Sequence, residues 1–270
     1  MVRKIISLFL VASIAVACSK NAVTGRSQLK LLPESELQTM ATQQYQQFLS
    51  TNKVVSSSNN RDVEMIRRVG QRVTRAVEEY YKQKGLASAL NGYNWEYNLI
   101  DSKEANAWCM PGGKIVVYTG LLPITQNEAA LAVVMGHEIT HAIFQHGNER
   151  MSQGLATQLG GAALSVAVSS QPTQTQNLFL AAYGVGSQVG ILLPFSRNQE
   201  YEADHYGLIW AAMAGYNPQE AIPLWERMEK MATSGSPPEF LSTHPSEGNR
   251  ITQLKKYMPE ALKYYKPLGK

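Results

Sequence analysis

The stretch from Thr125 to Ile143, "TQNEAALAVVMGHEITHAI", limits the fold more than any other because it sets ionisable residues into an apolar helix. Thr125, with Glu128 three residues on, predicts a capping box at its start. Leu131, Val134 and Met135 follow with almost no polar interruption, so this helix belongs in the core. At 100° per residue, His137 and His141 stand about 40° apart and one turn separated, so two imidazoles share a face and can share an ion. On a continuous helix His146 lies about 180° from His137 and about 140° from His141. It reads as a residue of the last turn beside Gly147, where a positive charge suits the helix dipole.

A single histidine on an apolar helix is ordinarily a hydrogen-bonded core residue. Two histidines and a glutamate buried without a partner would cost on the order of several kcal/mol. A zinc ion removes that cost, and His-Glu-x-x-His is a metal-binding spacing in which Glu138 is the general base. Hydrolytic zinc needs three protein ligands and one open position. The metzincin arrangement, with Gly at position 144 and His at 147, is excluded by Phe144 and Gly147. The best source of a third ligand is "FSRNQEYEADHYGLIW", a helix with Ser196 as N-cap and Gln199 completing a capping box. Glu200, Ala203, Asp204 and Gly207 form one stripe there, and the small residues allow close approach to the first helix. Glu200 then reaches the metal, and Asp204 accepts a hydrogen bond from a ligand imidazole. Glu202 points about 160° away from Glu200 and reads as a solvated or structural carboxylate, and His205 as an ordinary residue.

"HEITH" followed by "EYEAD" resembles the HtpX-type metallopeptidases. Further matches are "NAWCMPGGKIVVYTGLLPI", "STHPSEGNRI" and "AVTGRSQLKLLPE", so the resemblance covers nearly the whole chain beyond residue 17, closest to the soluble periplasmic lipoprotein branch. It implies an α+β, mostly helical fold: a gluzincin-like core with a small β-sheet whose edge strand lines the cleft. It implies one zinc ion on His137, His141 and Glu200, the set the helical stripes also indicate. Asn106 and Ala107 match as contacts to the substrate backbone, the other reading of that segment being a hairpin turn. His244 matches a residue that faces the zinc, either stabilising the oxyanion or closing the site as an extra ligand. Arg250 is expected to hold the His244 loop through Asp204 or another carboxylate.

The chain begins with a basic end, an apolar run from Ile5 to Val16, and Ala15-Val16-Ala17 before Cys18. This predicts a signal peptide over 1–17, too short for a spanning helix. Cys18 is then the expected site of lipidation, anchoring the protein to a membrane, with plain secretion as the alternative. Residues 18–30 are expected as a lipid-anchored linker and 31–270 as one metallopeptidase domain. With Cys18 lipidated, Cys109 is the remaining thiol and no intramolecular disulfide forms. A catalytic role for Cys109 lacks a clear partner histidine. The formal charge of +4 includes Arg3 and Lys4 and there is no basic tract, so nucleic acid is not an expected partner.

Elsewhere the pattern is mostly helical. "ESELQTMATQQYQQFLS" predicts a first helix, and Val63, Ile66, Val69, Val73, Val77 and Tyr80 an amphipathic second one. "WEYNLIDS" and "KIVVYTG" predict strands separated by Pro111-Gly112-Gly113. The second precedes the metal helix and is expected to present the edge that pairs with an extended substrate. Residues 152–195 predict a helical hairpin over the site, acting as a lid, with membrane insertion as the alternative. Asn217, Pro218 and Glu220 predict a further capped helix start. The expected function is a zinc endopeptidase at the periplasmic face of a bacterial membrane, as an outer-membrane lipoprotein, cleaving unfolded or misassembled envelope proteins. The alternatives are an envelope chaperone or assembly factor silenced by His244, and a structural zinc lipoprotein.

Overall fold

The computed structural model describes residues 18–159, 172–183, 195–234, 238–245 and 249–268. The expected signal peptide and much of the expected lid hairpin lie outside them. Among the described residues, no helix is long and apolar enough to cross a membrane.

In chain order the elements are β1 (Cys18–Lys20), β2 (Ser27–Leu29), α1 (Glu34–Thr51), α2 (Arg61–Gln83), β3 (Glu96–Ile100), β4 (Ala107–Met110), β5 (Lys114–Tyr118), α3 (Leu122–Thr125), α4 (Glu128–Ile143), α5 (His146–Leu159), α6 (Pro172–Ala182), α7 (Arg197–Met213), α8 (Ala221–Thr233), α9 (Glu239–Thr243) and α10 (Arg250–Tyr264). This is the expected α+β, mostly helical class. The strands form a two-stranded and a three-stranded sheet.

The three-stranded sheet runs β3-β5-β4, with β5 parallel to β3 and antiparallel to β4. The expectation that "KIVVYTG" presents the edge is corrected: β5 is central, and β4 is the edge strand that packs beside α4. Gly112 and Gly113, both with positive φ, turn the chain through the β4–β5 hairpin, where a β-carbon would be strained. Alternation along β5 explains why both its faces are buried. Ile115 and Val117 join α2 and α4 in the larger apolar cluster, while Val116 and Tyr118 join α1 and α6 in the smaller one. The sheet is therefore a middle layer with helices on both sides.

The stripe on α2 buries Val63, Ile66, Val69, Val73 and Val77 as the periodicity predicts. Two helix starts differ from expectation. Asn127, not Thr125, caps α4 by accepting the Ala130 amide, because Thr125 closes the preceding short helix and Gln126 turns left-handed. Asn217 accepts from Gln219 N in a single 3-10 turn, while Glu220 leaves the box to accept from Asn127. The capping box of Ser196 and Gln199 at α7 is present as predicted.

Residues 18–30 are not a linker. β1 and β2 pair antiparallel, Cys18 opposite Leu29 and Lys20 opposite Ser27. Side chains of this hairpin reach the helical core: Gln28 donates to the Phe144 carbonyl at 2.8 Å, and Thr24 donates to Glu202 at 2.8 Å.

Candidate metal centre

The α4 and α7 helices cross with backbone against backbone, and that crossing builds the site. Gly136 and Gly207 meet there: a β-carbon on Gly136 would lie 2.8 Å from the Gly207 carbonyl oxygen. Trp210 Nε1 donates to Thr140 Oγ1 at 2.9 Å and fixes the rotation of one helix on the other. His137 and His141 of α4 then face Glu200 of α7.

Four donor atoms converge, from His137, His141, Glu200 and His244, each residue buried and all the atoms within 4.8 Å of one another. The Nε2 atoms of His137 and His141 are 3.0 Å apart, and Glu200 Oε1 stands 3.3 Å from His141 Nε2. His244 Nδ1 lies 3.1 Å from His137 Nε2 and 2.9 Å from Glu200 Oε1. Bonds of about 2.0–2.1 Å to a tetrahedral zinc put neighbouring ligand atoms roughly 3.3 Å apart, so spacing and donor chemistry both fit that ion.

Burial pushes the pKa values of His137, His141 and His244 down, despite the attraction of Glu200, so these imidazoles keep lone pairs to offer. Burial alone would raise Glu200; His244, Arg250 and His137 instead hold it well below the usual carboxylate range. Glu138, next to His137 on α4, is pushed well above that range by burial and by the negative charge of Glu200. Its Oε1 has no hydrogen-bond partner among the described residues and sits 3.4 Å from His244 Nε2.

Asp204 accepts from His137 Nδ1 at 3.0 Å. Arg250 donates to Asp204 Oδ1 at 2.7 Å and ion-pairs with Glu200 Oε2 at 2.7 Å, its guanidinium lying over the Trp225 ring. Burial raises Asp204 to about 6 against the pull of Arg250.

Three aromatic contacts went unpredicted. His244 is stacked between Phe240 on one side, with ring centroids 4.3 Å apart, and Phe195 on the other, at 4.9 Å. Phe195 also lies 3.8 Å from His141 and carries the guanidinium of Arg150 on its ring. A shallow opening lined by Phe195, Glu200, Tyr201, Pro245, Asn249 and Arg250 leads from the surface to Glu200.

The reading of His146 is corrected. The helix ends at Ile143 with Phe144 as its C-cap, Gln145 turns left-handed at φ 57, and His146 starts α5. That break swings the buried His146 ring back, placing its Nδ1 3.0 Å from His141 Nδ1 and its Nε2 3.0 Å from Glu202. Glu202 is thus a buttress and not a solvated group. A left-handed Gln gives no warning in sequence, since Gly or Asn is the usual residue there. His205 stays outside, bonded to Glu260 and stacked on Tyr257.

Asn106 is buried just before β4, its Oδ1 accepting from the Ala107 amide and its carbonyl from Tyr118 N. Beside it, the Ala105 carbonyl accepts from Phe240 N, which ties α9 to the edge strand. Cys109 is buried in β4 and burial pushes its thiol well up, which keeps it protonated and unsuited to attack.

A family model for peptidase family M48 matches residues 68–258. The mitochondrial metalloendopeptidase OMA1 of Saccharomyces cerevisiae is 34% identical over 197 residues, 70% of this chain and 54% of that protein. The human metalloendopeptidase OMA1 is 30% identical over 250 residues, 89% of this chain and 46% of that protein. The beta-barrel assembly-enhancing protease of Escherichia coli is 29% identical over 165 residues, 60% of this chain and 34% of that protein. The chain thus spans about half the length of the mitochondrial relatives it matches.

Proposed function

Since the chain belongs to peptidase family M48, we propose that it is a zinc endopeptidase that cleaves unfolded or misassembled proteins of a bacterial cell envelope. The observation that carries the reading is the buried convergence of His137, His141 and Glu200 beside a carboxylate, Glu138, whose Oε1 has no hydrogen-bond partner among the described residues.

His137, His141 and Glu200 would hold the ion, and Asp204 keeps the His137 ring turned toward it. Zinc supplies Lewis acidity toward a water and a peptide carbonyl. Glu138 takes the proton from the attacking water and returns it to the leaving amine. Burial and the negative charge of Glu200 raise its pKa above the usual carboxylate range, which makes Glu138 a stronger base toward that proton. An extended substrate would pair along the β4 edge near Asn106 and Ala107, which requires uncovering that strand, since Ala107–Met110 are buried and the Ala107 amide is bonded to Asn106. An extended, pairing substrate is an unfolded one.

The envelope setting rests on the leader-like residues 1–17 and on Cys18 as lipidation site. Likeness to a protease named for β-barrel assembly supports that setting, while the likeness to mitochondrial enzymes supports the peptidase alone.

A second reading has one observation in its favour. His244 Nδ1 stands where a fourth ligand would, so the described state has no open position, as a silenced assembly factor would need. Incubation with casein, with and without chelator, separates the two readings. Cleavage by the wild type that chelator and Glu138→Gln abolish supports the endopeptidase. Cleavage by His244→Ala where the wild type shows none favours the silenced factor.

A further inference from the structure

The two histidines of α4 are backed in different ways, and the difference assigns a role to three residues outside the proposed ligand set. His137 is held directly by a carboxylate, Asp204, itself held by Arg250. His141 is held by another histidine. We propose that His146, supported by Glu202 and by Arg26 of the N-terminal hairpin, is the positioning residue that fixes the tautomer and orientation of His141. This rests on the reading of His141 as a metal ligand.

The hydrogens along this chain can be assigned one by one. His141 Nε2 faces the other donor atoms, so its lone pair belongs there and its hydrogen sits on Nδ1. That Nδ1–H donates to His146 Nδ1 at 3.0 Å, which must therefore be bare. The hydrogen of His146 is then on Nε2, donating to Glu202 Oε2 at 3.0 Å. Glu202 accepts in turn from Arg26 Nε and from Thr24 Oγ1, each at 2.8 Å. The remaining nitrogens of Arg26 donate to both oxygens of Glu149 at 2.8 Å, and Glu149 also accepts from Gln199. Every link has one donor and one acceptor, and reversing the His141–His146 bond would put the hydrogen of His141 on the nitrogen facing the ligands.

Local structure is arranged around this bond. The left-handed Gln145 aims the His146 ring back at α4, and no part of His146 is exposed. Gly147 cannot carry a side chain without striking Tyr183, so α5 is pressed close where the ring enters. The hairpin residues Thr24, Arg26 and Gln28 converge on the same region. The segment "AVTGRSQ" thereby acts on the metal centre from more than a hundred residues away in sequence.

Two experiments test the proposal. In the zinc-loaded full chain, long-range 15N–1H correlation spectra read imidazole tautomers directly. The expected result is His146 with hydrogen on Nε2 only and His141 with hydrogen on Nδ1 only. The opposite tautomer at His146, or hydrogen on both its nitrogens, overturns the assignment. In chelator competition, His146→Leu should weaken zinc binding by roughly 10–100-fold, the usual cost of losing such a partner. His146→Gln, which can accept from His141 and donate to Glu202, should recover most of that loss, and Arg26→Leu should show a smaller loss in the same direction. Equal zinc affinity in wild type and His146→Leu, or no recovery with Gln, overturns the positioning role. Zinc binding unaffected by His141→Ala would instead overturn the ligand reading, which keeps the two failures distinct.

Discussion

Gly207 of α7 touches His137 of α4 through backbone alone: a β-carbon added to Gly207 would lie 2.9 Å from the His137 amide nitrogen. That nitrogen belongs to a helix and cannot yield without moving α4. Gly207→Ala is therefore expected to destabilise the fold by roughly 1–3 kcal/mol, the range for overpacking. It should also weaken zinc binding, because Glu200 and Asp204 ride on the helix that would be displaced. Urea unfolding with and without zinc checks both effects, and unchanged midpoints in both would refute the tight crossing.

How this crossing could be read in sequence is instructive. The stripe of Glu200, Ala203, Asp204 and Gly207 carried both its chemistry and its closeness, because helical periodicity alone decides which residues share a face. The α2 stripe and the α7 capping box were legible for the same reason. Tertiary geometry was not. Helical angles do not carry to His146, because the left-handed Gln145 separates it from α4. The order of the strands was misread because β5 precedes α4 in sequence while β4 neighbours it in space. Residues 18–30 looked like a linker because two three-residue strands carry no periodic signal. Phe195 and Phe240 are ordinary aromatics until the fold brings them to the two sides of His244.

His244→Ala should raise casein cleavage while lowering zinc affinity. The substitution removes one of four converging donors and leaves the three that a hydrolytic site needs. The gain in rate cannot exceed the reciprocal of the fraction of molecules already open in the wild type. Phe195→Leu should move activity in the same direction by loosening one side of the aromatic clamp. If His244→Ala instead loses cleavage with zinc still bound, the residue serves the oxyanion and does not close the site.

Arg250 is bound to two buried carboxylates at once, 2.7 Å from Asp204 and 2.7 Å from Glu200. Arg250→Met would leave both without their cation, which costs about 3–5 kcal/mol when a buried pair is broken. Arg250→Lys should recover little, since a single ammonium cannot span two acceptors or lie flat on Trp225 as the guanidinium does. Thermal melting of the metal-free proteins isolates this effect from zinc binding. A melting temperature within error of wild type for Arg250→Met would rule it out.

Glu34 opens α1 with both carboxylate oxygens buried and without hydrogen-bond partners among the described residues. Burial raises its pKa to about 8, against the opposing pull of Lys30. A carboxyl whose folded pKa lies above its ordinary value of 4.5 binds its proton more tightly in the folded state. Its contribution is thus most favourable in acid, declines as pH rises between 4.5 and about 8, and is constant above that. The positive end of α1 offsets part of the penalty of ionisation, so the total change is on the order of a few kcal/mol. Glu34→Gln, which stays neutral at every pH, should match wild type in stability near pH 4 and exceed it increasingly up to pH ~8. Urea midpoints at a series of pH values check this, and a difference between the two proteins that does not change with pH would show that Glu34 titrates normally.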